Sequence, residues 1–142
     1  MTLASADAIR QRIREKVLEQ RTLVRDLLKL REQLKGSLFA RYAECGKEAC
    51  ACQKGRKHGP YYVLSTRSGG EGGFSYVEGR RAQEAQRLVR RYREFKTGFR
   101  RLRKVNADIV VLLRRYQQQM ARRGGDRMGL KAASRPRQKT MN

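Results

Sequence analysis

Apolar residues recur at Ile9, Ile13, Leu23, Leu27, Leu30 and Leu34, on alternating four- and three-residue steps once Lys16 and Gln20 fill the two gaps. That is a coiled-coil seam with a polar interruption. Residues 7–35 hold no Gly or Pro and are rich in Leu, Arg, Glu and Gln, so one long helix is predicted there, ended by Gly36-Ser37. A second run is more regular. Ala85, Leu88, Tyr92, Phe95, Phe99, Leu102, Asn106, Ile109, Leu113, Tyr116 and Met120 keep strict three-four spacing, with Asn106 the polar member. This predicts a helix over 80–121 that needs a partner stripe. Antiparallel pairing within the chain supplies one, setting Leu27 against Phe95, Leu34 against Leu88 and Lys16 against Asn106. A buried polar pair of that kind lowers stability but fixes register. The same seams could instead join two chains or a larger bundle, because heptads specify a seam more firmly than its partner.

Between the two runs the period changes. Tyr61 to Thr66 (YYVLST) and Phe74 to Val77 (FSYV) are rich in strand formers, and Gly69-Gly70-Glu71-Gly72-Gly73 between them is turn chemistry. A β-hairpin follows, to which SLFARYAEC adds a third short strand that leaves Cys45 close by. Tyr62 and Leu64 share one face, Tyr61 and Val63 the other, and Phe74 shares a face with Tyr76. A small insert needs its aromatics inside, which favours packing over base stacking for these side chains. The predicted fold is mainly α: an antiparallel two-helix coiled-coil hairpin with a small zinc-stapled β-hairpin inserted at its tip. Its parts are a first helix over 1–37, the insert over 38–78, a second, basic helix over 79–121 and a disordered basic tail over 122–142.

The insert carries the candidate chemistry. Cys45, Cys50, Cys52 and His58 are all the cysteines and the single histidine of the chain, gathered in CGKEACACQKGRKHGPYY. Three thiols and an imidazole make a tetrahedral zinc set, and with four protein ligands no position stays open for water, so the zinc is structural. The spacing Cx4CxCx5H is not the paired CxxC of familiar ribbons. The other uses open to these residues are reduced thiols beside a loop histidine, an iron–sulfur cluster, or a catalytic thiol. Gly46 after Cys45 is placed like a knuckle glycine, whose turn lets backbone N–H groups face a thiolate. Gly59-Pro60 ends the loop that carries His58.

Charge narrows the partner. The 142 residues carry 35 Lys and Arg against 13 Asp and Glu, a formal net charge of +22, which points to a polyanion, nucleic acid above all. The excess lies on the second helix and the tail. Arg80, Arg81, Arg87, Arg90, Arg91, Arg93, Lys96, Arg100, Arg101, Arg103 and Lys104 all fall off the seam, free to point outward, and Lys54, Arg56 and Lys57 flank the metal motif. Some can pair with Glu15, Glu19, Asp26 and Glu32, but too few acids exist to neutralise them all. No run approaches the roughly 18 apolar residues of a membrane span. The start has no apolar core like a secretory signal, so no membrane partner is expected and the chain reads as cytoplasmic, a nucleoid-associated place included. In that reducing compartment an odd number of cysteines favours metal over disulfides.

The run GSLFARYAECGKEACACQKGRKHGPYYVLSTRSGG, followed by a long basic helix, resembles a family of short bacterial and archaeal proteins of unknown function that share CGKxxCxC, then HGPYY, then a strand. The resemblance implies a shared architecture and the same four candidate ligands; the chain departs from it in its glycine-rich turn.

No enzyme is predicted. The sequence offers no Ser-His-Asp set, no GxxxxGK and no acidic cluster for magnesium. The expected function is an accessory or regulatory nucleic-acid-binding protein, using phosphate contacts from Lys54, Arg56, Lys57 and the helix-two cations, with DNA favoured over RNA. The alternative is a coiled-coil interaction module, homodimeric or docking a protein such as a recombinase or transposase.

Overall fold

The computed structural model describes residues 5–66 and 72–130. The order is α1 (Ala6–Lys29), β1 (Ser37–Ala43), β2 (His58–Ser65), β3 (Phe74–Val77) and α2 (Ala82–Arg127), with short 3-10 turns at Ala51–Lys54 and Gly79–Arg81. Among the described residues the protein is mainly helical, with two helices and one antiparallel three-stranded sheet. It divides into two compact units, Leu23–Leu102 and Met1–Thr22 with Arg103–Asn142.

Helix α1 starts where Ser5 caps it: the Ser5 hydroxyl accepts from the Ala8 N–H at 3.2 Å, and Asp7 in the first turn and Lys29 in the last complement the helix dipole. It ends six residues before the predicted Lys35, although no breaker intervenes. Tertiary structure overrides propensity here. The Leu34 N–H donates to the Leu88 carbonyl of α2 at 3.1 Å, and β1 begins at Ser37. Extended chain covers about 3.3 Å per residue against 1.5 Å in a helix, so residues 30–36 reach the sheet only by leaving the helix.

The predicted register fails at its polar layer. Leu34 meets Leu88 as expected, through its backbone N–H, and Leu27 packs over Gly98, where an added Cβ would lie 2.7 Å from the leucine methyl. In the other unit, Gln20 Nε2 donates to Asn106 Oδ1 at 2.7 Å, while Lys16 lies 3.1 Å from Glu19 and 3.4 Å from Asp108, not against Asn106. Glu19 first, with Asp108, holds the Lys16 ammonium above the usual lysine range.

The buried stripe of α1 follows the predicted seam, with Ile9 and Leu27 buried and Ile13, Leu23, Leu30 and Leu34 half-buried. On α2 the seam agrees at Ala85, Leu88, Tyr92, Phe95, Leu102, Ile109, Tyr116 and Met120. Elsewhere it slips by one residue: Val89, Val105 and Leu112 are buried, whereas Phe99, Asn106 and Leu113 are exposed. A straight helix drifts about 20° per heptad from a strict seven-residue repeat, and the run Ile109-Val110-Val111-Leu112-Leu113 accepts either phase. Helix α2 also continues to Arg127, through Gly124-Gly125 and past the predicted end at 121. The rest of the predicted tail, from Lys131, and the turn residues Gly69, Gly70 and Glu71 lie outside the described residues.

Strand β2 is central, antiparallel to β1 and to β3. Leu38, Ala40, Tyr62, Leu64 and Val77 share one face, and together with Ala82, Ala85 and Leu88 they line the grooves between the sheet and the start of α2. Phe39, Arg41, Tyr61, Val63, Phe74 and Tyr76 form the opposite face. Gly36 is required at φ +127°, where a Cβ would collide with the Ser65 carbonyl oxygen. Unfolding in urea should separate the two faces of α1: Leu27→Ala is expected to cost about 2–4 kcal/mol, and Leu28→Ala, 75% exposed, less than about 0.5 kcal/mol.

Candidate metal centre and basic surface

Two strand ends and the loop between them bring the four donors together. Cys45 follows β1, His58 opens β2 and pairs with Ala43 across the ladder, and a bulge between Arg41 and Ala43 marks where regular pairing stops. The loop folds back through the turn that bonds the Cys50 N–H to the Lys47 carbonyl and through the 3-10 turn carrying Cys52. Gly55, at φ +99°, ends that turn by donating to the Ala51 and Cys52 carbonyls. Gly59 allows the return: at φ +129°, a Cβ there would lie 2.8 Å from the Arg41 carbonyl oxygen.

The donor atoms of Cys45, Cys50, Cys52 and His58 all lie within 4.8 Å of one another. Cys45 Sγ is 3.5 Å from Cys52 Sγ, and Cys50 Sγ is 3.2 Å from His58 Nε2. All three cysteines are free thiols, and 3.5 Å is far longer than a disulfide bond of about 2.05 Å. A tetrahedral ion with metal–sulfur bonds of about 2.3 Å and a metal–nitrogen bond of about 2.0 Å holds its ligand atoms about 3.5–3.8 Å apart. The spacing therefore fits a metal ion, and these four residues could hold one.

The surroundings suit thiolates. The Cys45 N–H donates to Cys52 Sγ at 3.3 Å, and Gln53 Nε2 fixes the Cys45 carbonyl at 3.0 Å. Cys52 is the most buried member, 1% exposed. The Cys52 backbone N–H, with the neighbouring thiols and His58, pulls the Cys50 thiol down to about 6. For Cys52 the Cys45 N–H acts in the same direction, but burial and the adjacent Cys50 and Cys45 outweigh it and push that thiol up. One thiolate thus forms readily and the next is resisted, which is the charge problem a bound cation solves. Gly46 has open space around it and its backbone is not what faces the sulfur; the N–H of Cys45 itself is. The contribution of Gln53 had no signal in the motif.

The predicted phosphate-binding residues fall in three places. Lys54 closes the 3-10 turn of the metal loop, and Arg56 and Lys57 follow it, exposed. Arg80 and Arg81 lie in the turn before α2, tied to Glu78 at 2.6 Å and Glu84 at 3.6 Å. On α2, Arg91 is half-buried against the Glu32 carbonyl and carboxylate at 3.5 and 4.0 Å. Lys96 sits 5.9 Å over the Tyr92 ring, and Arg100 donates to Thr97 Oγ1 at 3.5 Å. Arg87, Arg90, Arg101 and Lys104 are exposed, Lys104 in the other unit. Of the expected acidic partners, Glu32 reaches α2 cations within the sheet-bearing unit, while Asp26 bonds Arg25 and Lys29 on its own helix.

Metal uptake by the apo protein should rise with pH. The ion displaces the proton that Cys52 keeps at neutral pH, and below about pH 6 it must displace the one on Cys50 as well. Competition with a chromophoric chelator from pH 5 to 8 is expected to show affinity falling on acidification, more steeply below about 6. Gly59→Ala should weaken metal binding and lower stability together, by about 1–3 kcal/mol, because the strained return positions His58.

No curated protein and no solved structure matches this sequence. A family profile covers residues 7–92, which spans α1, the whole sheet with its four-donor loop, and the first turns of α2. The chain belongs to the family described as Domain of unknown function (DUF6788).

Proposed function

We propose that the protein binds nucleic acid through phosphate contacts as an accessory or regulatory factor, with DNA favoured over RNA, and catalyses no reaction of its own. The carrying observation is the exposed cationic surface of α2. Residues 79–104 hold basic side chains from Arg80 to Lys104 against only Glu84 and Glu94, and surface carboxylates engage Arg80, Arg81 and Arg91 of the proposed contact set. Exposed ion pairs contribute little, and like charges at three- and four-residue spacing repel, so a polyanion relieves the strain on this helix. Arginine predominates, which suits phosphate geometry. In the same reading the two helices form a coiled-coil hairpin in the cytoplasm, and the ion at Cys45, Cys50, Cys52 and His58 is zinc. Three sulfurs and one imidazole nitrogen are a zinc donor set, and the role is structural because protein atoms take every position.

Salt titration against duplex DNA tests the proposal. The affinity is expected to fall with a slope of about −0.9 per phosphate engaged, and Arg90→Ala or Arg100→Ala to reduce that slope by about one each. Weak binding that ignores salt overturns it. For the metal, elemental analysis is expected to find one zinc per chain, lost in His58→Ala or after chelation, with the sheet-bearing unit melting at lower temperature once stripped.

A second reading, a helical module docking a protein partner such as a recombinase or transposase, draws on Val17, Leu18, Val24 and Leu28, apolar side chains that α1 leaves exposed. Leu18→Lys would abolish such docking and leave DNA binding unchanged.

A further inference from the structure

The sheet presents an aromatic face to solvent. Phe39 is 42% exposed, Tyr61 46%, Phe74 55% and Tyr76 72%, although an insert this small would gain most by burying them. They come from all three strands. Arg41 and Tyr61 form a cross-strand row next to the metal loop; Phe39, Val63 and Tyr76 form the next row; Phe74 lies in the third, beside Ser65. Val63, 3% exposed, floors a depression of about 400 Å³ lined by Phe39, Arg41, Phe74 and Tyr76. Phe39 and Phe74 meet edge to face with centroids 6.3 Å apart, which fixes ring positions on an otherwise open surface.

The chemistry of this face selects its occupant. Among the described residues, Arg41 is its one charged residue and no carboxylate belongs to it, while Lys54, Arg56 and Lys57 sit in the loop that joins β1 to β2 beside the Arg41–Tyr61 row. A second copy of the chain would bring another +22 of like charge against it. A face of rings with a guanidinium and almost no aliphatic rim suits flat, electron-rich partners carried on an anionic backbone. Rows two residues apart along a strand stand about 6.8 Å from each other, so successive rows can each take a base of one extended strand.

We infer that the outer face of the sheet is a stacking site for single-stranded nucleic acid, with bases on Tyr61, Tyr76 and Phe74 and phosphates at Arg41 and the Lys54–Lys57 loop. This rests on the nucleic-acid reading of the protein and adds a second mode to it, since α2 engages phosphates whatever the strandedness. A paired base in a duplex keeps its faces covered and cannot use the platform.

The test uses the full, metal-loaded chain with three labelled DNA probes followed by anisotropy: a 12-mer of thymidine, the same backbone made abasic, and a 12-base-pair duplex. Tyr76→Ala and Phe74→Ala remove exposed rings, and Tyr76→Phe keeps one; circular dichroism confirms that each variant is folded. The expected result is about tenfold weaker binding of the thymidine strand per ring removed, retention in Tyr76→Phe, unchanged duplex binding, and abasic binding that no substitution alters. Equal thymidine binding by Tyr76→Ala and the parent protein overturns the inference while leaving phosphate binding by α2 standing. A loss shared equally by duplex and thymidine probes also overturns it, as does an alanine variant that converts a dimer to a monomer in sedimentation with thymidine binding intact. If the parent protein binds none of the three probes, the nucleic-acid reading itself falls.

Discussion

Three sulfurs and an imidazole confined within 4.8 Å set the terms for the sheet-bearing unit. Left to itself, Cys50 loses its proton readily while Cys52 resists losing its own; around a cation the cluster would become a cross-link between the end of β1, the 3-10 turn and the start of β2. The loop between the two strands has little else to hold it. Beyond the bonds that join Cys45 to Cys52 and Gln53, its hydrogen bonds are local turns, and its one fully buried side chain is Cys52 itself. A bound ion would therefore order the loop and tie the end of β1 to the start of β2, and the loop cations and the near row of the proposed stacking face would be held by it. Arg41 and Tyr61 sit on the paired strands on either side of the loop, and Lys54, Arg56 and Lys57 sit on the loop.

How much of this was legible in the sequence depended on how locally each feature is determined. The four donors could be read because soft ligands occur nowhere else in the chain, and β3 falls on the predicted residues because FSYV is bounded by glycines and followed by a helix start. Strand β1 was legible from its alternation. The early end of α1 was not, since nothing from Leu30 to Lys35 disfavours a helix; the reason lies in the reach needed to bring Ser37 to Ser65. The phase of α2 was legible as a three-four pattern and wrong in detail, because valines and leucines at 110–113 satisfy two seams equally. The exposed aromatics ran against expectation for a related reason. Alternation puts Tyr61, Val63, Phe74 and Tyr76 on shared faces, but which face the helix covers is a tertiary outcome. Phe39 and Arg41 on the same face were readable from SLFARYA, though only the strand order makes them neighbours of Tyr76 and Phe74.

The sheet raises one more matter, that of growth. Three strands leave two open sides, each a template on which another chain could add by backbone hydrogen bonding. Here both are blunted. Strand β3 is only four residues long and β1 is interrupted by its bulge near Arg41, so an incoming strand would find few consecutive partners. With a charge of +22 adding repulsion at any distance within a Debye length, the sheet is built to stop at three strands, and a protein with so many exposed rings can remain dispersed rather than polymerise.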